Sequence, residues 1–367
     1  MRKIIQIVPK LPPTIDGVGD YSLNLARQLR EDFSIETCFV VGSPTWFGSC
    51  ELEGFPILQV KKCSSKSLLS LLQSHSIKTV LLHYVGYGYA SRGAPIWLIQ
   101  GLERWRNNLP DAYLTTMFHE IYASGYPVWT SSFWVSPLQK FLAMRLAVLS
   151  DSILTSLQDY AKLLYNLSNK TQANIATLPV FSTIGEPSKQ LPLLEERQRR
   201  MVIFGSKTSR MRAYQECLSQ LSEICLLLKL EEIWDIGARL EQIPSNINGV
   251  PVLEKGHCAD REISHMLLTS FAGFIYYDLR RLAKSTIFAA YSAHGLLPVC
   301  SGYEPYPIDA IDGTKAGQHY WTLDGHTKAF KDLATLQIIA INAHAWYKTH
   351  SLPVQAQTFE KYLGKPV

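Results

Sequence analysis

The sequence predicts an α/β protein with two domains, each built on a parallel sheet with helices on its faces. The chain has 367 residues, whereas one domain typically needs about 100–200. Short apolar runs alternate with helical patterns in both halves. A stretch rich in proline and charge, with Glu195, Glu196, Arg199 and Arg200, separates the halves. We therefore expect two Rossmann-like domains that face each other across a cleft.

The first half, 1–184, begins with the strand pattern Ile4–Val8 and the helical pattern Tyr21–Arg30. The alternation then continues through Ile35–Val41, Lys66–His75, Thr79–His83, Ile96–Asn107, Tyr113–Phe118, Ser136–Ser150 and Ile153–Thr155. Strands joined through helices pair in parallel, because a parallel pair requires a long crossover connection. This half is therefore predicted to be one parallel α/β domain.

The second half repeats the pattern after a linker at 185–200. Its predicted elements are Met201–Phe204, Ala213–Lys229, Glu232–Ile236, Val250–Leu253, Glu262–Thr269, Phe271–Tyr276, Ser285–His294 and Leu297–Cys300. We assign 201–335 to a second Rossmann-like domain. Helices over 336–367 are expected to pack back on the first domain.

Composition excludes several classes of protein. The net charge is only +5, and no clustered basic patch of the kind that binds nucleic acid is present. The seven cysteines lack a C-x-x-C pair, so reduced thiols are expected rather than disulfides or a zinc site. No apolar run is long enough to span a bilayer. We expect a cytoplasmic protein that touches at most the inner face of a membrane.

Two segments have the pattern of a loop that feeds a helix N-terminus. Gly17 and Gly19 precede the first helix, and Lys284, Ser285 and Thr286 open a helix that ends at His294. Free backbone N–H groups and the helix dipole favour an anion at such termini. One anionic ligand held by both domains is the functional class that this pattern favours.

Three motifs resemble the GT-B glycosyltransferases, and specifically the retaining family 4. They are the segment 17–26 (GVGDYSLNLA), Phe118-His119-Glu120 after a strand, and the segment from Lys284-Ser285-Thr286 to Val299. The resemblance spans the chain. It implies a nucleotide diphosphate sugar donor at the second domain, an acceptor at the first, retention of configuration, and no metal or other cofactor.

Two departures from the family pattern affect the expected site. The family's Glu-x7-Glu signature would place glutamates at positions 282 and 290, where this chain has Leu282 and Ala290. The usual Gly-Arg followed by Lys becomes a segment that contains Gly205, Lys207 and Arg210. The acidic sugar contacts therefore do not carry over, and the basic donor contacts carry over only approximately.

The candidate catalytic residues are His119, Lys284 and Arg210. The lysine and arginine would stabilise the leaving diphosphate, and a neutral imidazole would bind a sugar hydroxyl. The expected donor and phosphate contacts are Gly17, Gly19, Gly205, Lys207, Arg212, Ser285 and Thr286.

Acceptor-side candidates are Asp20, Tyr84, Tyr87 and Glu120. Aromatic side chains that would form a wall for a sugar or lipid-linked acceptor are Tyr84, Tyr87, Tyr89, Tyr122, Tyr126, Trp129 and Trp134. Such faces pack on sugar rings. The alternative is that Trp129, Phe133 and Trp134, near Lys140 and Arg145, enter a membrane interface.

Other interpretations stay open at this point. The glycines fit a tight turn, His119 fits a structural histidine, and Ser285 fits a plain helix cap. The basic loop after Gly205 fits a solvated surface. An NAD-dependent oxidoreductase would use Glu36 on the ribose, and a non-catalytic sugar-nucleotide-binding or partner protein would need no turnover.

Overall fold

The computed structural model describes residues 2–74, 76–123, 129–172, 174–187, 190–302, 312–323 and 332–364. The chain forms two compact units. Unit 1 comprises Met1–Leu178 together with Leu352–Val367, and unit 2 comprises Pro179–Ser351.

Unit 1 is built on an eight-stranded sheet. Its strands are β1 (Arg2–Val8), β2 (Ile35–Val41), β3 (Glu51–Leu52), β4 (Phe55–Gln59), β5 (Thr79–Tyr84), β6 (Tyr113–Phe118), β7 (Ser152–Thr155) and β8 (Ala176–Thr177). Its first helices are α1 (Gly17–Phe33), α2 (Ser65–Gln73), α3 (Gly86–Tyr89), α4 (Ile96–Asn108), α5 (Ser131–Leu149) and α6 (Gln158–Leu167). The order is β3-β4-β2-β1-β5-β6-β7-β8, and β3 and β4 pair antiparallel whereas the other pairs are parallel.

Unit 2 is built on a six-stranded sheet in the order β11-β12-β10-β9-β13-β14. Its strands are β9 (Gln198–Phe204), β10 (Glu232–Ile236), β11 (Asn246–Ile247), β12 (Val250–Gly256), β13 (Ser270–Tyr277) and β14 (Leu297–Gly302). Its helices are α7 (Lys207–Leu227), α8 (Asp260–Thr269), α9 (Thr286–His294) and α10 (Leu333–Lys348), with short 3-10 helices at Leu194–Glu196 and Leu279–Lys284. The last helix, α11 (Leu352–Tyr362), belongs to unit 1.

The central strands of both sheets are buried on both faces, which explains their continuous apolar runs. In β1, Ile4, Ile5, Ile7 and Val8 have no solvent exposure. Burial of one such side chain stabilises the fold by about 1.5–3 kcal/mol. The predicted alternation of strands and helices, and therefore the α/β fold class, is confirmed.

The observed unit boundaries differ from the expected 184 and 185–200. Unit 2 starts at Pro179, and β9 begins at Gln198, inside the stretch predicted to be a linker. Two arginines of that stretch bind groups within unit 2. Arg197 donates to the carbonyls of Leu267 and His294, and Arg200 forms an ion pair with Glu232.

The expected C-terminal helices divide between the two units. Helix α10 lies in unit 2, and α11 returns to unit 1. There the Tyr21 hydroxyl donates to Gln355 Oε1 at 2.6 Å, and Thr115 Oγ1 donates to the Tyr362 carbonyl at 2.7 Å. Among the described residues, no helix combines the length and apolar character needed to cross a membrane.

The order of the parallel strands reverses between β1 and β5 in unit 1 and between β9 and β13 in unit 2. Open parallel sheets bind ligands at the carboxyl ends of the strands flanking such a point. These two places are therefore where each unit positions its functional side chains.

Candidate functional site

The unit 2 site is formed where the β9–α7 loop meets the start of α9. Gly205, at φ 135°, directly follows β9. A Cβ at this glycine would lie 2.6 Å from Cδ1 of Ile287, in the first turn of α9. Only glycine permits that backbone conformation and that approach together. The N-termini of α7 and α9 consequently lie near each other.

Both of these termini have uncharged hydroxyl caps. Ser206 Oγ accepts from the Ser209 N–H at 3.2 Å, and Ser285 Oγ accepts from the Phe288 N–H at 3.1 Å. Each cap has a lysine beside it, since Lys207 follows Ser206 and Lys284 precedes Ser285. Positive charge and helix N–H groups together favour an anion. The N-cap interpretation of Ser285 is therefore correct, and it is compatible with an anion site.

The segment that carries Lys284 is held by contacts distant in sequence. Asp312 accepts from the Ala283 N–H at 2.7 Å and from the Thr314 hydroxyl at 2.8 Å. The Val180 N–H donates to the Ala283 carbonyl at 2.8 Å. Burial raises the pKa of the Asp312 carboxyl. Both backbone groups of Ala283, directly before Lys284, are therefore held by hydrogen bonds. These contacts come from residues distant in sequence, so no local sequence pattern predicted them.

Arg210 has a structural position, contrary to its expected catalytic role. Its side chain is buried and forms an ion pair with Asp235. It also donates to the carbonyls of Gly205, at 3.0 Å, and Ala238. The N–H donors of this guanidinium bind three groups just after or near the ends of β9 and β10, and so connect the two strand ends. Arg210 therefore braces the loop rather than facing a ligand.

The other predicted basic and hydroxyl residues are more accessible. Lys207 is exposed, and Lys284, Thr286 and Arg212 are half-buried. The Arg212 guanidinium lies 5.3 Å from the ring centroid of Tyr276, at the end of β13. The structure therefore places Arg212 next to the strand-order reversal of unit 2.

The corresponding helix terminus in unit 1 is acidic. Asp16 caps α1, and its carboxylate accepts from the Gly19 N–H at 2.8 Å. Asp20 adds a second carboxylate in the first turn. A Cβ at Gly19 would lie 2.5 Å from the Lys10 carbonyl oxygen, whereas Gly17 has open space around it. This geometry favours the tight-turn interpretation of Gly19 and disfavours a phosphate at α1.

His119 belongs to a chain of polar side chains that runs from the end of β6 through β5 and β1 to β2. Its Nε2 lies 3.1 Å from Nδ1 of His83, and His83 Nε2 lies 3.0 Å from Oε1 of Gln6. Gln6 Nε2 in turn donates to the Thr37 hydroxyl at 3.2 Å. The Tyr21 ring packs edge-on against His119, with centroids 5.1 Å apart. We call His119, His83, Gln6 and Thr37 the histidine relay.

The relay sets the tautomer of both histidines. Because Gln6 Oε1 only accepts, His83 carries its proton on Nε2 and accepts at Nδ1. His119 then donates from Nε2, and in the uncharged form of His119 its Nδ1 is an acceptor. Burial, with a smaller contribution from His119, holds the pKa of His83 well below its usual value. His83 is therefore neutral near pH 7.

The acceptor-side candidates have different environments. Tyr84 is fully buried and packs against Phe118, so it is a core residue and cannot form part of an aromatic wall. Tyr87 is exposed on one side and accepts from Gln139 Nε2 at 3.2 Å. Glu120 is exposed. Tyr126 lies outside the described residues.

Three relay members escaped the sequence analysis: His83, Gln6 and Thr37. Each is a buried polar residue inside a strand, and a buried polar side chain needs a hydrogen-bond partner. The sequence does show one such polar residue in each of the three strand patterns. It does not show that the three strands are neighbours, and without that knowledge the hydrogen-bonded chain could not be predicted.

Comparison with known proteins identifies the fold. The sequence matches no family model and no curated protein sequence. Among solved structures, an α-glucosyltransferase (AGT) in complex with UDP has a TM-score of 0.62 at 14% identity and covers 99% of this chain and 100% of that chain. Sucrose-phosphate synthase from Thermosynechococcus elongatus has 0.66 at 11%, covering 99% of both chains.

WaaG, a glycosyltransferase involved in lipopolysaccharide biosynthesis, has a TM-score of 0.56 at 12% identity and covers 99% of this chain and 100% of that chain. These structures share the GT-B fold, and likeness at such low identity is evidence for the fold alone. The chain accordingly has the GT-B fold, with a Rossmann-like architecture in each unit.

Proposed function

We propose that this protein transfers a sugar from a nucleotide diphosphate sugar to an acceptor. The observation that carries the proposal is the pair of converging helix N-termini in unit 2, which have the hydroxyl caps Ser206 and Ser285 and the lysines Lys207 and Lys284. A diphosphate has the charge and the acceptor oxygens that such a site binds.

The reaction we propose breaks the bond between the anomeric carbon and the diphosphate oxygen. The electron pair stays on the diphosphate, where Lys284 and the α9 N–H groups stabilise the new charge. The acceptor oxygen forms the new bond on the same face of the sugar and passes its proton to the leaving phosphate. Retention and independence of metal are parts of this proposal, and a hexose is the proposed sugar.

We assign the histidine relay to a sugar hydroxyl. Nδ1 of His119 is an acceptor in the tautomer set by His83 and Gln6. An uncharged acceptor suits a hydroxyl and adds no fixed charge near an anomeric centre that becomes positive. The acidic α1 terminus, with Asp16 and Asp20, likewise suits hydroxyl donors better than phosphate.

The proposed acceptor is a glycan, a lipid-linked sugar or a small molecule. Another similar structure is an α-glucosyltransferase in complex with UDP-glucose and DNA containing an abasic site. For this chain we favour a different acceptor class, because the net charge of +5 is small for a nucleic-acid-binding surface. A lipid-linked acceptor would require a peripheral contact with the inner face of a membrane, which we include in the proposal.

The first test is thermal stabilisation by UDP-, GDP-, ADP- and dTDP-linked sugars, with NAD(H) as the control ligand and EDTA present in a parallel series. A ligand at about 100 times its Kd adds roughly 2.7 kcal/mol of stability. We expect one nucleotide sugar to raise the Tm, and Lys284→Ala to abolish that rise. Lys348→Ala, an exposed lysine at the end of α10, should leave it unchanged.

Two results would redirect the proposal. Stabilisation by NAD(H) alone would favour an oxidoreductase. Donor binding without release of nucleotide diphosphate, across a panel of glycan and lipid acceptors, would favour the non-catalytic binding protein. The observation that favours this second candidate is the absence of Glu residues at positions 282 and 290.

A further inference from the structure

The outward face of α5 is apolar. Trp134, Leu138, Phe141 and Val148 are 73%, 40%, 48% and 51% exposed. Their spacing of four, three and seven residues puts them on one side of the helix. Trp129, just before the helix, is 83% exposed. Trp134, Leu138 and Phe141 form an apolar stripe in place of the usual polar surface, and Arg145, one turn further along the same side, separates it from Val148.

The opposite side of α5 already packs in the core of unit 1. Leu142, Ala143, Leu146 and Ala147 are buried there. The stripe is therefore additional to what the fold needs, and no described residue covers it. Scattered exposed apolar residues are normal, whereas a contiguous row of large ones marks an interaction surface.

The charges on α5 indicate which partner fits. The helix contains Lys140 and Arg145 and no acidic residue. Arg145 is paired with Glu103 and lies 5.6 Å from the centroid of Phe141, so Lys140, which is exposed, provides the outward positive charge. A basic residue beside Trp, Phe and Leu is the pattern of a helix that lies in a membrane interface.

A protein partner would fit this face less well. Stable protein interfaces form about one hydrogen bond per 100–200 Å². The exposed side chains of the stripe offer the indole N–H groups of Trp129 and Trp134 and little else. Lipid acyl chains need no hydrogen bonds, and indoles suit the boundary between acyl chains and headgroups.

We propose that α5 and Trp129 lie in the headgroup–acyl boundary of an anionic membrane, with the helix parallel to the surface. This identifies the surface and the lipid class of the peripheral membrane contact. It rests on the proposed function only in that a lipid-linked acceptor would explain why the protein binds a membrane. Trp134 and Phe141 would enter the acyl region, and Lys140 would contact anionic headgroups.

The test is co-sedimentation of the full-length protein with vesicles of phosphatidylcholine alone or mixed with phosphatidylglycerol. We expect binding to the anionic vesicles that weakens as salt rises. The double variant Trp134→Ser, Phe141→Ser should bind at least tenfold more weakly, and Lys140→Glu should lose the preference for anionic lipid. Leu226→Ser, which removes a 66% exposed leucine from α7, is the matched control and should bind normally.

Several outcomes would overturn the assignment. The native protein could stay in the supernatant with both kinds of vesicle, or the folded double variant could sediment like the native protein. A native dimer in light scattering that the double variant converts to monomer would assign the stripe to a second copy instead. The assay needs no sugar donor, and donor binding measured by thermal shift on the same samples separates failure here from failure of the proposed function.

Discussion

The helix N-termini at the two strand-order reversals have opposite electrostatic character. In unit 1, α1 begins with the carboxylate cap Asp16 and with Asp20 in its first turn. In unit 2, α7 and α9 begin with serine caps that have a lysine beside them. The dipole favours anions at all three termini, but a carboxylate cap already occupies that place in α1. The identity of the cap, rather than the helix, decides which ligand charge a terminus accepts.

The buried polar groups differ between the units in the same way. Unit 1 holds the histidine relay, in which burial keeps His83 uncharged, whereas unit 2 holds the ion pair of Arg210 and Asp235. An uncharged side chain neither attracts nor repels a charged ligand strongly. The contrast agrees with our proposal that unit 1 binds uncharged hydroxyl groups and unit 2 binds phosphate.

The largest effect is expected from Arg210→Met. Removing one partner of a buried ion pair typically costs about 3–5 kcal/mol, because the other charge is left unpaired. The free energy of unfolding from urea titration should fall by that order, and Arg212→Met, at a half-buried position, should change it far less. If Arg210→Met instead kept its stability and lost only donor binding, Arg210 would be a phosphate ligand and the two units would differ less than we infer.

A cap exchange in unit 2 tests the comparison directly. Ser206→Asp and Ser285→Asp keep a good N-cap but place a carboxylate beside the proposed phosphate. Two charges about 5 Å apart at an effective dielectric constant of about 20 repel by roughly 3 kcal/mol, which is more than 100-fold in affinity. Thermal shift or calorimetry with the donor measures it. Ser206 is exposed and Ser285 is buried, so Ser206→Asp is the variant less prone to misfolding, and unchanged affinity there would contradict the site.

The sequence predicted well what depends on local pattern and poorly what depends on distant partners. The strand and helix order and the Ser285 cap follow from periodicity and from capping chemistry. Arg210 was misassigned because Asp235, its partner, comes from the neighbouring strand. Tyr84 was misassigned because β5 continues one residue beyond the predicted end at His83, which puts the ring in the core.

A smaller effect is expected from the histidine relay. His83→Leu removes the acceptor that fixes the His119 tautomer, and one such hydrogen bond contributes about 1 kcal/mol. We expect a several-fold fall in kcat with KM for the donor nearly unchanged. His83→Asn, which can accept near the position of Nδ1, should restore much of the rate. An equal loss in both variants would mean that His83 serves packing alone.

The smallest effect on donor affinity is expected from Asp16→Ser, the reverse exchange in unit 1. Serine keeps the cap on Gly19, so α1 should lose only a few tenths of a kcal/mol of stability. If the phosphate is bound at unit 2, the affinity for the nucleotide diphosphate should change less than twofold by calorimetry. Asp16→Asn, which also caps well without charge, is the control and should behave the same. A gain of tenfold or more in both variants would show that α1 faces the diphosphate, and the glycines Gly17 and Gly19 would then regain their predicted role.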